Sequence, residues 1–504
     1  MRGPGEARLL ASGALLQQLA QGSGLVALLV IVTLLARRLD DVAELGAYGL
    51  VSSLSGYLLV LRNSVAAAAV RAMAAASGGE ERTSVFVVAA RLYALVGAAT
   101  GLLIAVVAIV LAGTVLDGEL ASDARIGGIG LGALIAFGIA ASINLDRLRA
   151  ERLFPTAARA EIVAVGINLA VMVTLIFAGA DLSLLIALSG ALPLISGLIC
   201  ALLVHRLGLA ARGSRRRAGH HRAAIVPTAG WLLVIELANL AMYASGRIVL
   251  GAYRTPTAIG LYEGPVRAHN LLYALGGALA VPTVPTASRY VAEGDRRRLA
   301  ELAVRGSRYT LALFVPLATT LIVLSEPIIA VWLGERYTDG ATALAILVSY
   351  WLLYGALIVT PGFLAGAGEA RAAGITLAGA ALLSLVLALV MTPELGVEGP
   401  AIATAVALTL AFPMLLRTGL RASGVELTEL LGRALIPAYA FGALLAGALA
   451  AVRWGLEPAT LLAVATVAIA GVLLYWAAFY TLVLDRDERA LARGLLPGNA
   501  LGEP

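Results

Sequence analysis

Lysine is absent from this chain: all 37 basic residues among its 504 positions are arginine. A Walker-type phosphate loop needs its lysine, and so does Schiff-base catalysis, so neither chemistry is open to this protein. Cys200 is the single cysteine, which excludes an internal disulfide and argues against a cysteine-based metal site. Four histidines occur, and the adjacent His220 and His221 sit in an arginine-rich loop with poor metal-ligand spacing. No HExxH motif and no nucleophile elbow is present. GGIGLG (127–132) and GAGEAR (366–371) carry the glycines of phosphate loops, but no strand pattern precedes either. Tight helix packing or a turn is the expectation there. These absences read as a non-enzyme with no cofactor and no metal.

Charge is also scarce, at 13% of residues against 60% hydrophobic. A soluble domain carries roughly 25% charged residues. Apolar runs of about 18 residues or more recur along the whole length, which defines a polytopic all-α membrane protein with about fourteen transmembrane helices. The run from the N-terminal MRGPGEARLL to Ala36 is too long for a signal-peptide core and reads as the first span.

The arginines fix the expected orientation. Numbered alternately, the loops on one side hold Arg71 and Arg82, the RGSRRRAGHHR segment, SRYVAEGDRRRL and the tail arginines Arg486, Arg489 and Arg493. The opposite side holds only Arg37, Arg38, Arg125, Arg254, Arg336 and Arg453. The positive-inside rule places the first side, with both termini, in the cytoplasm. The net charge of +6 is thereby explained by topology, and no nucleic-acid partner is expected. The opposite loops are short and leave no room for a folded outer domain.

An internal repeat is visible. ELGAYGL (44–50) opens the second predicted span and AIGLYEG (258–264) the eighth. FAGADLSLLIALSGA (177–191) and TPELGVEGPAIATAV (392–406) recur near the same offset. An even number of helices per copy gives a parallel repeat about an axis along the membrane normal. The expected organisation is an N-terminal six-helix lobe over 1–205, a basic cytoplasmic loop over 206–224 and a C-terminal six-helix lobe over 225–422. Two additional helices over 423–484 and a cytoplasmic tail over 485–504 complete it.

Ionisable groups inside spans cost roughly 2.5–3.5 kcal/mol on insertion scales, so each needs an account. Arg62, with Asn63 beside it, lies within the second span and has no acid at i±3 or i±4. Glu236 and Asn239 occupy the middle of the seventh, and Arg247 its outer end, from which it is able to snorkel. Glu263, Arg267 and Asn270 form one stripe on the eighth, at i, i+4 and i+7, while His269 points elsewhere. Glu263 and Arg267 stand in the favourable order for a self-neutralising pair. Arg91 and Glu161, near cytoplasmic ends, read as snorkelling or paired.

The stretch RIVLGAYRTPTAIGLYEGPVRAHNLLYALGGALAVPTVPTASRYVAEGDRRRL (247–299) resembles the seventh-to-ninth-helix region of polysaccharide flippases in the multidrug/oligosaccharidyl-lipid/polysaccharide exporter superfamily. PIIAVWLGERY (327–337), PGFLAGAGEARAAG (361–374), ELGVEGPAIATAVALTL (394–410) and RRLDDVAELGAYGLVSSLSGYLLVLRNSVAAAAVR (37–71) are similar in the same order. The resemblance implies a bacterial cytoplasmic-membrane protein with two six-helix lobes across a central cavity. It implies a flippase for cell-surface polysaccharide synthesis, carrying polyprenyl-pyrophosphate oligosaccharides from the cytoplasmic to the outer leaflet by alternating access. Membrane lipids and a polysaccharide polymerase or glycosyltransferases are the implied partners. Arg62, Asn63, Arg247, Arg267 and Asn270 then become substrate contacts, since guanidinium groups bind phosphate bidentately. Glu236, Glu263 and His269 become coupling or charge-balancing groups. Two alternatives stay open: a drug or metabolite/cation antiporter using Glu236 or Glu263, and a non-transporting scaffold that binds a lipid-linked precursor.

Overall fold

The computed structural model describes residues 4–75, 79–209, 246–253, 255–280, 283–367, 369–486 and 488–489. Those residues are almost entirely helical, with no strand among them. Ten of the described helices are long and apolar enough to cross a membrane, and a bent pair makes an eleventh. The sequence reading of a polytopic all-α membrane protein holds. The predicted span over 225–250 falls largely outside the described residues, as do Glu236, Asn239, His220 and His221.

The chain divides into two compact units, Met1–Glu263 with Leu385–Pro400, and Gly264–Ser384 with Ala401–Pro504. In the first unit the order is α1 (Pro4–Arg38), α2 (Val42–Ala75), α3 (Gly79–Val115), α4 (Gly118–Ala150), α5 (Phe154–Phe177), α6 (Leu182–Leu188) and α7 (Leu192–Arg206). Residues 246–253 are helical, and α8 (Pro256–Ala280) begins in this unit. At 37 residues, α3 is about 55 Å long at 1.5 Å per residue, so its ends reach beyond a hydrocarbon core of about 30 Å. It turns Leu95, Leu102, Leu103, Val106, Ile109 and Val110 outward, an apolar face that water would not tolerate and lipid does. The axis bends by 46° between α6 and α7, where Pro193 opens the second piece without an N–H to continue the first.

Helix α4 is the hub of this unit and packs on α2, α3, α6 and α7. Lipid tails are as apolar as leucine, so membrane helices associate through close backbone approach at small residues.

Among the described residues, the most compact such contact joins the two copies of the repeated motif. A Cβ on Gly46 of α2 would overlap the Pro256 carbonyl oxygen of α8, and a Cβ on Gly260 of α8 would overlap the Val42 carbonyl oxygen of α2. Gly46 and Gly260, like Val42 and Pro256, are separated by the same 214 residues. The contact is therefore reciprocal, as across a two-fold axis. It gives the match between ELGAYGL and AIGLYEG a physical meaning: each supplies the glycine that the other's helix start sits on.

The second unit continues α8 and adds α9 (Thr283–Glu293), α10 (Arg296–Val323), α11 (Ser325–Trp332), α12 (Ala341–Ser349), α13 (Trp351–Tyr354) and α14 (Thr360–Gly366). After α15 (Ala370–Leu395) and α16 (Glu398–Ser423) come α17 (Leu427–Leu430), a π turn over Leu431–Leu435, α18 (Ile436–Leu456) and α19 (Leu461–Leu482). Pro437, just past the π turn, has no N–H for the regular ladder, which accounts for the local widening. Its core joins Leu311 and Val315 of α10 to Leu445 of α18 and to Tyr475 and Phe479 of α19. Beyond α19, Glu488 is buried against α10, where it accepts from Arg308 and, at 2.8 Å, from the Tyr309 hydroxyl.

A buried polar cluster beside a cavity

Arg62 finds its acid 84 positions away. Its Nη2 donates to Asp146 Oδ2 at 2.6 Å, and its Nε to Ser142 Oγ at 3.1 Å. The Tyr93 hydroxyl reaches the same Asp146 oxygen at 2.7 Å, and Arg149 Nη1 donates to the other at 3.2 Å. Arg149 continues to both carboxylate oxygens of Glu161, each at 3.1 Å, and Glu161 accepts from Gln17 at 3.2 Å. Five helices thus contribute: Gln17 from α1, Arg62 from α2, Tyr93 from α3, Ser142, Asp146 and Arg149 from α4, and Glu161 from α5. Asp146 is 1% exposed and Arg62 13%.

Sequence reasoning missed Asp146, Tyr93 and Arg149 as partners. Spacing along one helix offers Arg62 no acid, and nothing in the sequence pairs its helix with α4. The helix runs on to Ala150, which keeps Asp146 and Arg149 one turn apart on an inward face. The reading of Glu161 as paired holds, with Arg149 as its partner.

The cluster borders a cavity of about 310 Å³, lined among others by Gln17, Gln21, Arg62, Ser142, Glu161 and Ser196. That is room for roughly ten waters or a small polyatomic anion.

Glu263 engages an arginine other than the one four residues along. Its two carboxylate oxygens accept from Arg247, Oε1 from Nε and Oε2 from Nη2 at 3.2 Å. Arg247 is 3% exposed and Glu263 fully buried, so Arg247 packs inward instead of snorkelling. The Glu263 carboxylate also lies directly on Gly49 of α2, where any Cβ would overlap it. Arg267 and Asn270 are half-buried farther along α8. His269 is buried, with Nδ1 3.3 Å from Asn270 Oδ1 and Nε2 2.5 Å from the Tyr350 hydroxyl. Trp351 lies 5.9 Å away, centroid to centroid, and stacks on Phe314. His269 therefore sits in a satisfied aromatic core. The side chain of Asn63 lies outside the described residues. Among the described residues, no group of three His, Cys, Asp or Glu residues has the arrangement of a metal site.

The sequence matches the model of a family described as polysaccharide biosynthesis protein over residues 34–342. A probable low-salt glycan biosynthesis flippase, Agl15 of Haloferax volcanii, is 20% identical over 157 residues, which cover 31% of this chain and 33% of that protein. The alignment thus spans about a third of that relative's length. Among solved structures, the lipid II flippase MurJ in an inward closed conformation superposes with a TM-score of 0.70 at 17% identity, covering 93% of this chain and 99% of that one. An inward-facing multidrug resistance transporter of the MATE family gives a TM-score of 0.66 at 16% identity over 82% of this chain and 98% of that one. At these identities the structural likeness concerns the fold.

Proposed function

This chain belongs to the polysaccharide biosynthesis protein family, and from that premise we propose that it is a flippase that carries a polyprenyl-pyrophosphate-linked oligosaccharide from the cytoplasmic to the outer leaflet by alternating access. The carrying observation is Arg62: a guanidinium held by a buried acid on one side and bordering a cavity lined by both polar and apolar side chains on the other. Guanidinium suits a pyrophosphate because its fork matches two oxygens at once. Flipping breaks no covalent bond, in keeping with the missing catalytic motifs. The names of Agl15, a probable glycan biosynthesis flippase, and MurJ, a lipid II flippase, support the same substrate class.

In this reading both termini are cytoplasmic, and Arg267 and Asn270 contact substrate as well. A polymerase or glycosyltransferase would consume the flipped product. The MATE likeness and the presence of Glu161 beside the cavity support a second reading, efflux of an organic cation. Purified protein in liposomes separates the readings. A fluorescent polyprenyl-pyrophosphate sugar in the inner leaflet should reach a quencher or lectin outside at a rate that Arg62→Ala abolishes. Cation efflux without lipid movement would establish the antiporter, and binding without movement would establish a scaffold.

A further inference from the structure

Asp146 gathers more donors than neutralising Arg62 requires. Its Oδ2 accepts from Arg62 and Tyr93 and its Oδ1 from Arg149, at 2.6, 2.7 and 3.2 Å. A buried carboxylate stripped of its partner is costly, which ordinarily locks a buried ion pair in place. Here the carboxylate would keep a phenol and a second guanidinium if Arg62 turned away. Arg149 is itself anchored through both oxygens of Glu161. Of the three donors to Asp146, Arg62 is the one that borders the cavity, and Ser142, which accepts from its Nε while donating to the Ile139 carbonyl at 2.8 Å, lines that cavity with it, as does Glu161. The network is thus fixed on the Tyr93–Arg149 side and releasable on the Arg62 side.

We propose that Asp146 is a positioning residue that holds Arg62 in reserve and yields it to a phosphate or pyrophosphate oxyanion entering the cavity, while Tyr93 and Arg149 keep the vacated carboxylate satisfied. The inference rests on the headgroup reading of Arg62. The resting set of Arg62, Arg149, Asp146 and Glu161 carries two charges of each sign and is neutral. An anion therefore binds by exchange with Asp146 and not by attraction to surplus positive charge. Exchange also returns the arginine to its own acid when the ligand leaves, so neither state holds a bare ion.

Opposite effects from two neighbouring substitutions follow. Asp146→Asn removes the competing charge and should tighten binding of a polyprenyl pyrophosphate in detergent micelles by about tenfold, with slower transfer across liposomes because release slows. Tyr93→Phe removes one of the groups that keep Asp146 after the exchange and should weaken binding about three- to tenfold at unchanged unfolding temperature. The double variant should behave like Asp146→Asn alone, since Tyr93 acts only through the carboxylate. Inorganic pyrophosphate is measured in parallel. The same rank order there assigns the effect to the oxyanion, whereas an order seen only with the lipid assigns it to the tail and overturns the exchange. A purely structural cluster predicts that both single variants weaken binding in step with lost stability, and that result refutes the proposal. If Asp146→Asn does not fold, Tyr93→Phe decides alone: unchanged affinity in a folded protein overturns the exchange. Native affinity in Arg62→Ala would instead bring down the headgroup reading, a separate outcome.

Discussion

Replacing Gly46 and Gly260 tests whether the repeat seam is one reciprocal contact or two independent ones. In the native chain each glycine Cα faces a carbonyl oxygen of the other helix's first turn, Pro256 for Gly46 and Val42 for Gly260. A methyl group at either position overlaps backbone, not a side chain that is able to swing aside, so the helices must separate by on the order of 1 Å to restore ordinary contact distances. Overpacking of this kind costs about 1–3 kcal/mol. Gly46→Ala and Gly260→Ala should therefore destabilise by similar amounts. The separation forced by one substitution makes room for the other, because α2 and α8 meet both times at the same crossing. The double variant should then cost about 1–2 kcal/mol less than the sum of the singles, within the range of coupling between residues in contact. Equilibrium unfolding in mild detergent, followed by tryptophan fluorescence, measures all four proteins. Additivity within about 0.5 kcal/mol, the behaviour of distant sites, would refute the reciprocal seam. Gly49→Ala is the control on the same helix. The atoms nearest its Cβ belong to the Glu263 side chain, so its cost should fall with that side chain shortened, as in Glu263→Ala.

Three other perturbations separate structure from transport. Arg247→Ala leaves Glu263 buried and charged and should cost about 3–5 kcal/mol in the same unfolding assay, whereas replacing both partners with methionine should be near neutral; a costly double replacement would mean that the pair is irreplaceable for stability. Glu488→Gln removes the full charge opposite the buried Arg308 and should lower stability by about 1–3 kcal/mol, while Glu488→Asp recovers part of it; no change on thermal melting would show the tail contact to be incidental. Single cysteines at Ser214 and Gly498, in a Cys200→Ser background, should react with an impermeant maleimide only after cells are permeabilised, and labelling of both in intact cells would reverse the proposed orientation.

The sequence alone determined the solvent this protein lives in and the repeating element it uses. Long apolar runs leave the backbone no partner but itself, so spanning helices follow without reference to any neighbour. It also determined which positions are anomalous: Arg62, Glu263 and His269 stood out because charge and imidazole are costly in hydrocarbon wherever they point. Even the repeat was legible, since Gly46 and Gly260 sit at one offset in two similar motifs. Partnership was not. Arg62 lies 84 residues from Asp146, and Glu263 lies 16 from Arg247, a spacing that no single helix face offers. His269 lies 81 from Tyr350. Helical periodicity reports which residues share a face of one helix; which faces meet is set by where backbones approach most closely, at glycines on α2, α4 and α8. The tertiary structure therefore decided that Arg62 pairs with Asp146 beside a cavity, while Arg247, which the sequence left able to snorkel, is buried against Glu263 beneath Gly49.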